Sequence, residues 1–291
     1  MGWRTVVITK TSKLDYSLGY MVVRDVENTV KIHISEISFL IVGSTSVSLT
    51  AYLLNELTKA KVKVISCDEK RNPSFELTAY YGCHDCSLKL KNQITWSEDV
   101  KKYIWTEIVS EKIRKQAEVL EHFHLNKSDM LLRYVDEMEF GDSTNREGHA
   151  AKVYFNELFG MKFSRNADTP VNAALNFGYS LILSAVNREV VCSGYLTQLG
   201  LFHDNMFNQY NLSCDLMEPI RPYVDLCVNE MNPETFGKSE KAVLLNLLNK
   251  DFVVASRMNT LLNAIKIYCK SVFSALEEKD ASLISFIDYE L

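Results

Sequence analysis

The apolar residues of this chain change their repeat near Ser87, and that change limits what the chain can fold into. Before it, short runs rich in Val and Ile recur at residues 4–9, 19–24, 29–34 and 39–42, with breaks at Leu14-Asp15, Glu27-Asn28 and Gly43-Ser44. Runs of this length and β-branched content predict strands. Residues 46–59 then carry Leu49, Leu53 and Leu57 at helical spacing behind a Ser/Thr-rich lead-in, which predicts one helix. Residues 62–66 return to strand character, and residues 75–80 are a further strand candidate. After Ser87 the periods are long and helical. Residues 100–122 place Ile104, Ile108, Ile113 and Ala117 roughly on one face, with charges on the other. Helices are expected over residues 146–159, 171–189 and 216–231, and the pattern continues over 238–250 and 251–278. The expected class is α+β: a small N-terminal β-rich domain over residues 1–86 and a larger α-helical domain over residues 87–291.

At 291 residues there is chain enough for two modest cores. Seven cysteines, an odd number, lie scattered through apolar segments behind an N-terminus without a secretory signature. The expectation is reduced thiols in a cytoplasmic protein. No uninterrupted apolar stretch approaches a membrane span, and Val6 stands where an acylation signal wants Ser or Thr, so no membrane partner is expected. The net charge of −5 divides unevenly. Residues 1–135 hold 19 Lys+Arg against 16 Asp+Glu, and residues 136–291 hold 13 against 21. An acidic half repels a polyanion unless its positive side chains cluster. Candidate clusters are Lys59, Lys61 and Lys63; Lys89 and Lys91; Lys101 and Lys102; and Lys112, Arg114 and Lys115. Each is equally readable as a solvated face.

Three patches in the helical half put an acid or imidazole where the pattern is otherwise apolar. They are Arg146-Glu147-Gly148-His149-Ala150, Leu199-Gly200-Leu201-Phe202-His203-Asp204-Asn205 and Asp215-Leu216-Met217-Glu218-Pro219-Ile220-Arg221-Pro222. Carboxylate oxygens with one imidazole nitrogen suit Mn²⁺ or Mg²⁺ better than a closed structural zinc site. A hard cation with open positions is the usual means of phosphodiester chemistry. Each residue also has a plainer reading. Glu147 is a first-turn acid favoured by the helix dipole. His203 follows Gly194 and Gly200 in a turn-like segment, partly buried among Leu199, Leu201 and Phe202. Asp215 and Glu218, three apart, share a helix face, and Arg221 alone can compensate them. A helix is expected to start near Ser213, with Pro219 as a kink point. His149 points to a different helix face from Glu147 and is read as supporting. Asn172, Asn176 and Tyr179 fall on successive turns, where helix–helix hydrogen bonding is favoured over lining the pocket.

In order and spacing, these patches resemble the CRISPR-associated integrase that captures new spacers, the nuclease-like subunit of the adaptation module. Residues 146–155, 172–179 and 215–222 look most like its type II branch, and the likeness covers essentially the whole chain. The resemblance implies that Glu147, His203 and Glu218 are catalytic and bind Mg²⁺ or Mn²⁺. It makes Asp215 an accessory acid and Arg221 a phosphate contact. It implies a homodimer paired through the β domain and seated on a small ferredoxin-like partner dimer, acting on captured duplex DNA and the leader-repeat. In type II systems the effector nuclease and a ring-forming DNA-end-binding protein join it. The expected reaction is transesterification, a 3′-hydroxyl of captured DNA attacking a phosphodiester at the repeat edge. Two other functions use the same residues: hydrolysis of branched or nicked DNA, and a non-catalytic DNA-binding scaffold.

Cys83-His84-Asp85-Cys86 lacks a second ligand pair at finger spacing and a thioredoxin-like context, so it is read as coincidental thiols. There is no Gly-rich phosphate loop and no nucleophile elbow, which leaves ATP use and serine hydrolysis unsupported.

Overall fold

A computed structural model describes Gly2, residues 4–77, Ala79 and residues 83–288. The chain divides into two compact units, Met1–His84 and Asp85–Leu291.

The first unit is built on strands β1 (Arg4–Ile8), β2 (Ser12–Ser17), β3 (Tyr20–Arg24), β4 (Thr29–His33), β5 (Ile37–Val42) and β6 (Val47–Leu49), helix α1 (Ala51–Lys59), and strands β7 (Lys63–Cys67) and β8 (Pro73–Leu77). They form two four-stranded sheets, ordered β1-β5-β7-β8 and β4-β3-β2-β6. All six residues of β5 are buried, which is why its sequence Ile-Ser-Phe-Leu-Ile-Val is nearly continuous apolar: it runs parallel between β1 and β7. Leu53 and Leu57 of α1, one turn apart, are fully buried with Leu14, Met21 and Leu40 in the core of this unit.

Two details differ from the expectation, and a third lies partly outside the described residues. The expected break at Leu14-Asp15 lies inside β2, where Leu14 is buried and Asp15 pairs with Arg24 across the β2–β3 ladder. The turn is instead at Leu18-Gly19, both at positive φ, the geometry that joins right-twisted strands over two residues. The helix expected from residue 46 begins only at Ala51. Val47–Leu49 pairs with β2, and Thr50 Oγ1 caps the helix by accepting from Leu53 N at 3.3 Å. Of the strand candidate at residues 75–80, Thr78 and Tyr80 lie outside the described residues.

The second unit runs through α2 (Cys86–Ile94), α3 (Glu98–His122), α4 (Ser128–Asp136), α5 (Arg146–Phe159), α6 (Pro170–Cys192), α7 (Asn211–Met217), α8 (Arg221–Met231) and α9 (Lys238–Leu247). It closes with strands β9 (Asp251–Val254) and β10 (Arg257–Thr260), helix α10 (Leu261–Glu278) and strand β11 (Ile287–Asp288). The helix expected over residues 216–231 is divided by a 3₁₀ turn, Glu218–Ile220, at Pro219. Residues 251–260 are not helical. They form a hairpin whose turn residues Ala255 and Ser256 take positive φ, and β11 adds to it in the order β10-β9-β11. No helix among the described residues is long and apolar enough to cross a membrane.

Helix α3 is packed by neighbours around most of its circumference. Trp105, Ile108, Val109 and Ile113 are buried, and so are Glu111, Lys112 and Lys115. The expected Lys112–Lys115 cluster is therefore not a solvated face: Lys115 pairs with Glu118 and Asp288, and Lys112 points to the site described below. Lys63 likewise is buried against Glu76 on the neighbouring strand. Helices α6 and α8 approach closely at Gly178, where an added Cβ would lie 2.4 Å from Val224 Cγ1. Gly178→Ala is expected to destabilise the chain by about 1–3 kcal/mol in denaturant melts. Val224→Ala in the same chain should recover part of that loss.

Candidate metal centre

Helix α5 opens on an arrangement that fixes Glu147 before any ligand is considered. Asp142 is buried and accepts from Arg146 N at 2.6 Å and Glu147 N at 3.1 Å, satisfying two of the unpaired donors of the first turn. Asn145, at left-handed φ, accepts from Gly148 N at 3.3 Å. A Cβ on Gly148 would lie 2.8 Å from both Asn145 side-chain termini, so a larger residue there would push the cap aside.

His203 is held by a second buried aspartate. Asp215 of α7 is fully buried and accepts from Leu201 N at 2.6 Å, Phe202 N at 3.2 Å and His203 N at 3.1 Å. Its Oδ1 also meets His203 Nδ1 at 2.6 Å. With Nδ1–H given to Asp215, Nε2 is the nitrogen left to accept or ligate. The hydrogen bond to Asp215 raises the His203 pKa against the opposing effect of burial. Gly200 is required, since a Cβ there would lie 2.3 Å from the backbone oxygen of His203 and 2.7 Å from Asp215 Oδ2. Trp105 of α3 stacks flat on Phe202 at 4.5 Å and meets the His203 ring edge-on at 5.9 Å.

Glu218 enters on the 3₁₀ turn and is buried between two cations. Arg221 Nε donates to its Oε1 at 2.9 Å, and Lys112 Nζ lies 2.5 Å from its Oε2. The same ammonium pairs with Glu147 Oε1, so one lysine of α3 bridges the two acids. Burial pushes the Glu218 carboxyl up, but Arg221 and Lys112 outweigh it and bring its pKa to about 2. For Lys112 burial acts downward, and Glu218 with Glu147 reverses it, leaving the ammonium above its ordinary pKa.

Tyr179 supports this cluster from α6. The Arg221 guanidinium lies over its ring at 4.8 Å and that of Arg165 at 5.4 Å, while its hydroxyl donates to Asp225. Burial raises Asp225 to about 6, opposed by its hydrogen bonds with Tyr179 and Tyr154. Asn172 and Asn176 both accept from Arg165, at 2.5 and 2.7 Å, and Asn172 also donates to Ser164 O and Ala167 O. The amides therefore hold a loop and an arginine. His149 is exposed beside Tyr134, and its charge acts on Asp142 to lower that carboxyl against burial.

The structure thus gathers Glu147 and Glu218 about one cation, sets His203 within reach of the Glu218 charge, and places Asp215, Arg221 and Tyr179 around them. Among the described residues, no three His, Cys, Asp or Glu side chains already converge as metal ligands do; an ammonium stands between the acids instead. Lys112, Asp142, Trp105 and Arg165 were missed as members of the site. Only Lys112 left a signal: it lies four residues after Ile108 and seven after Trp105, on a buried stripe.

Removing Asp215 leaves four donors without their acceptor, and Asp215→Ala should cost about 2–4 kcal/mol in thermal melts. Asp225 gives a pH signature. Its pKa is higher folded than its ordinary 3.8, so its contribution is complete below about pH 4 and is lost as pH rises through about 6. Asp225→Asn, which does not titrate, should gain about 3 kcal/mol relative to wild type between about pH 4 and pH 7. Melts across that window check it.

The family model described as CRISPR associated protein Cas1 matches residues 5–255. The CRISPR-associated endonuclease Cas1 of Neisseria meningitidis serogroup C (strain 8013) is 32% identical over 287 residues, covering 97% of this chain and 94% of that protein. A casposase bound to an integration product has the same fold, with TM-score 0.77 at 16% identity, over 96% of this chain and 93% of the casposase. A chain of a Cas6-RT-Cas1–Cas2 complex matches with TM-score 0.72 at 16% identity, over 97% of this chain and 36% of that longer one. A model that matches most of the length, joined by a near-full-length relative at that identity, places this chain in the Cas1 family.

Proposed function

We propose that this chain is the DNA-joining subunit of CRISPR adaptation, a metal-dependent integrase that inserts captured DNA at the leader end of a repeat array. The observation that carries the reading is the pair of acids, Glu147 and Glu218, facing one buried cation position beside an aligned imidazole, in a chain of the Cas1 family. The donor chemistry fits a hard divalent ion. Glu218 Oε2 is buried with the Lys112 ammonium 2.5 Å away where a cation would sit, and His203 Nε2 is left open. Glu147, His203 and Glu218 would hold Mg²⁺ or Mn²⁺, with the imidazole favouring Mn²⁺. When bound, such an ion polarises a phosphoryl oxygen and offsets the charge that develops on it.

The chain's own residues supply the rest. Asp215 keeps His203 in one tautomer, and Tyr179 holds Arg221 beside Glu218. A guanidinium there suits a phosphate oxygen. The 3′-oxygen of the captured strand loses its proton and bonds to phosphorus as the P–O3′ bond of the repeat strand breaks. The departing oxygen then takes up a proton, and no covalent protein intermediate forms.

The chain works as a homodimer in the cytoplasm, seated on a small ferredoxin-like partner dimer. The largely exposed strand β4, at the edge of its sheet, supports pairing between copies. The type II effector nuclease and a ring-forming DNA-end-binding protein complete the machinery. A second reading, hydrolysis of branched or nicked DNA with water in place of the 3′-hydroxyl, is favoured by the endonuclease name of the Neisseria relative.

Strand transfer of a short duplex into a repeat-bearing plasmid tests both, with MnCl₂, the small partner, and wild type beside His203→Ala. Covalent joining should fall on the order of 100-fold or more in the variant. Cleavage without joining in wild type selects the endonuclease reading. Joining that survives His203→Ala overturns the assignment of the site.

A further inference from the structure

Two carboxylates turned toward each other in a buried place repel, and burial enlarges the cost. Lys112 meets that cost from within the chain. Its Nζ pairs with Glu147 Oε1 and with Glu218 Oε2, the two acids assigned above to the metal. Its side chain is only 9% exposed. We infer that Lys112 is a built-in stand-in for the metal: its ammonium occupies the carboxylate-bound position until an ion arrives, and it must let go of at least one acid for the ion to bind.

The inference rests on the metal-site reading and goes beyond it by making the site self-competing. The geometry separates the two cations around Glu218. Arg221 binds Oε1 and is clamped against the Tyr179 ring at 4.8 Å, so it stays. Lys112 takes Oε2 on a flexible four-carbon stem, so it is the group able to move. The Glu147 side chain is 27% exposed and that of Glu218 is 5% exposed, so an incoming ion reaches Glu147 first. The lysine therefore releases the more open acid first.

Two consequences follow in opposite directions. Without metal, Lys112 holds the two acids together and stabilises the fold. With metal present, only the fraction of molecules with the lysine displaced is competent, and the apparent affinity is lowered by that fraction.

Calorimetric titration of MnCl₂ and MgCl₂ into the full chain, wild type beside Lys112→Gln, tests this, with melts of each protein with and without metal. Lys112→Gln should bind Mn²⁺ about tenfold tighter or more. Without metal it should melt on the order of 5–10 °C lower, and Mn²⁺ should restore more of its stability than it adds to wild type. Lys115→Gln, on the same helix but paired to Glu118 and Asp288, should leave Mn²⁺ affinity unchanged. Normal binding by wild type with equal or weaker binding by Lys112→Gln overturns the inference and leaves the metal reading standing. Absence of binding by both proteins overturns the metal reading and the inference with it. Should Lys112→Gln fold only when MnCl₂ is added, that supports the inference. Should it fold under neither condition, wild type alone decides, by the ammonium NMR signal of Lys112 identified with Lys112→Arg. That signal should change with MgCl₂ at the calorimetric midpoint, and a signal unchanged at saturation overturns the inference.

Discussion

Buried Glu218 and half-buried Glu147 cannot face each other as bare anions, and the helical unit is arranged around that fact. The positive charge comes from two helices, Lys112 from α3 and Arg221 from α8, and each cation is itself held by buried neighbours. Buried ion clusters of this kind are poor devices for stability alone, because desolvation takes back most of the Coulomb gain. A buried stripe of leucines would serve folding better at these positions. Their presence here fits the metal centre proposed above better than a role in folding alone.

The same local device recurs at two points of this centre. A buried aspartate accepts backbone donors from a segment and so fixes a neighbouring functional side chain, Asp142 for Glu147 and Asp215 for His203. In each case a glycine also lies close to a side chain that accepts from the segment, Gly148 against the capping Asn145 and Gly200 against Asp215. His203, on irregular backbone, gains its precision this way, and Glu147 has the first turn of α5 fixed beneath it. It also accounts for the residues of these motifs other than the proposed ligands.

Much of this was legible from the residues. The α+β class and the run of α5 followed from apolar periodicity, and the strand character of β1, β3, β4, β5 and β7 from short runs rich in Val and Ile. The failures have physical causes. The β9–β10 hairpin turns on Ala255 and Ser256, neither of which announces positive φ as glycine or asparagine does. Strand β2 carries Asp15, whose charge is met across the ladder by Arg24, a pairing no local pattern displays. At the site, the acids and histidine stood out as polar residues in apolar surroundings, whereas Lys112 was read into a surface cluster with Arg114 and Lys115. A lysine is usually solvated, and only the stripe it shares with Trp105 and Ile108 marks it as buried. Asp142 and Arg165 act through backbone groups and amides that come together only in the fold.

The fastening of residues 201–203 by Asp215 has a consequence for the protein as it is made. The histidine leaves the ribosome before the carboxylate that aligns it, and Glu218 and Arg221 follow later still. A nascent or truncated chain ending short of α7 thus carries His203 on a segment whose fastening carboxylate is missing, and it lacks one of the two acids. In the centre proposed above, an unfinished chain is therefore inactive, because the acids, the imidazole and the arginine come together only when the last of them has been synthesised.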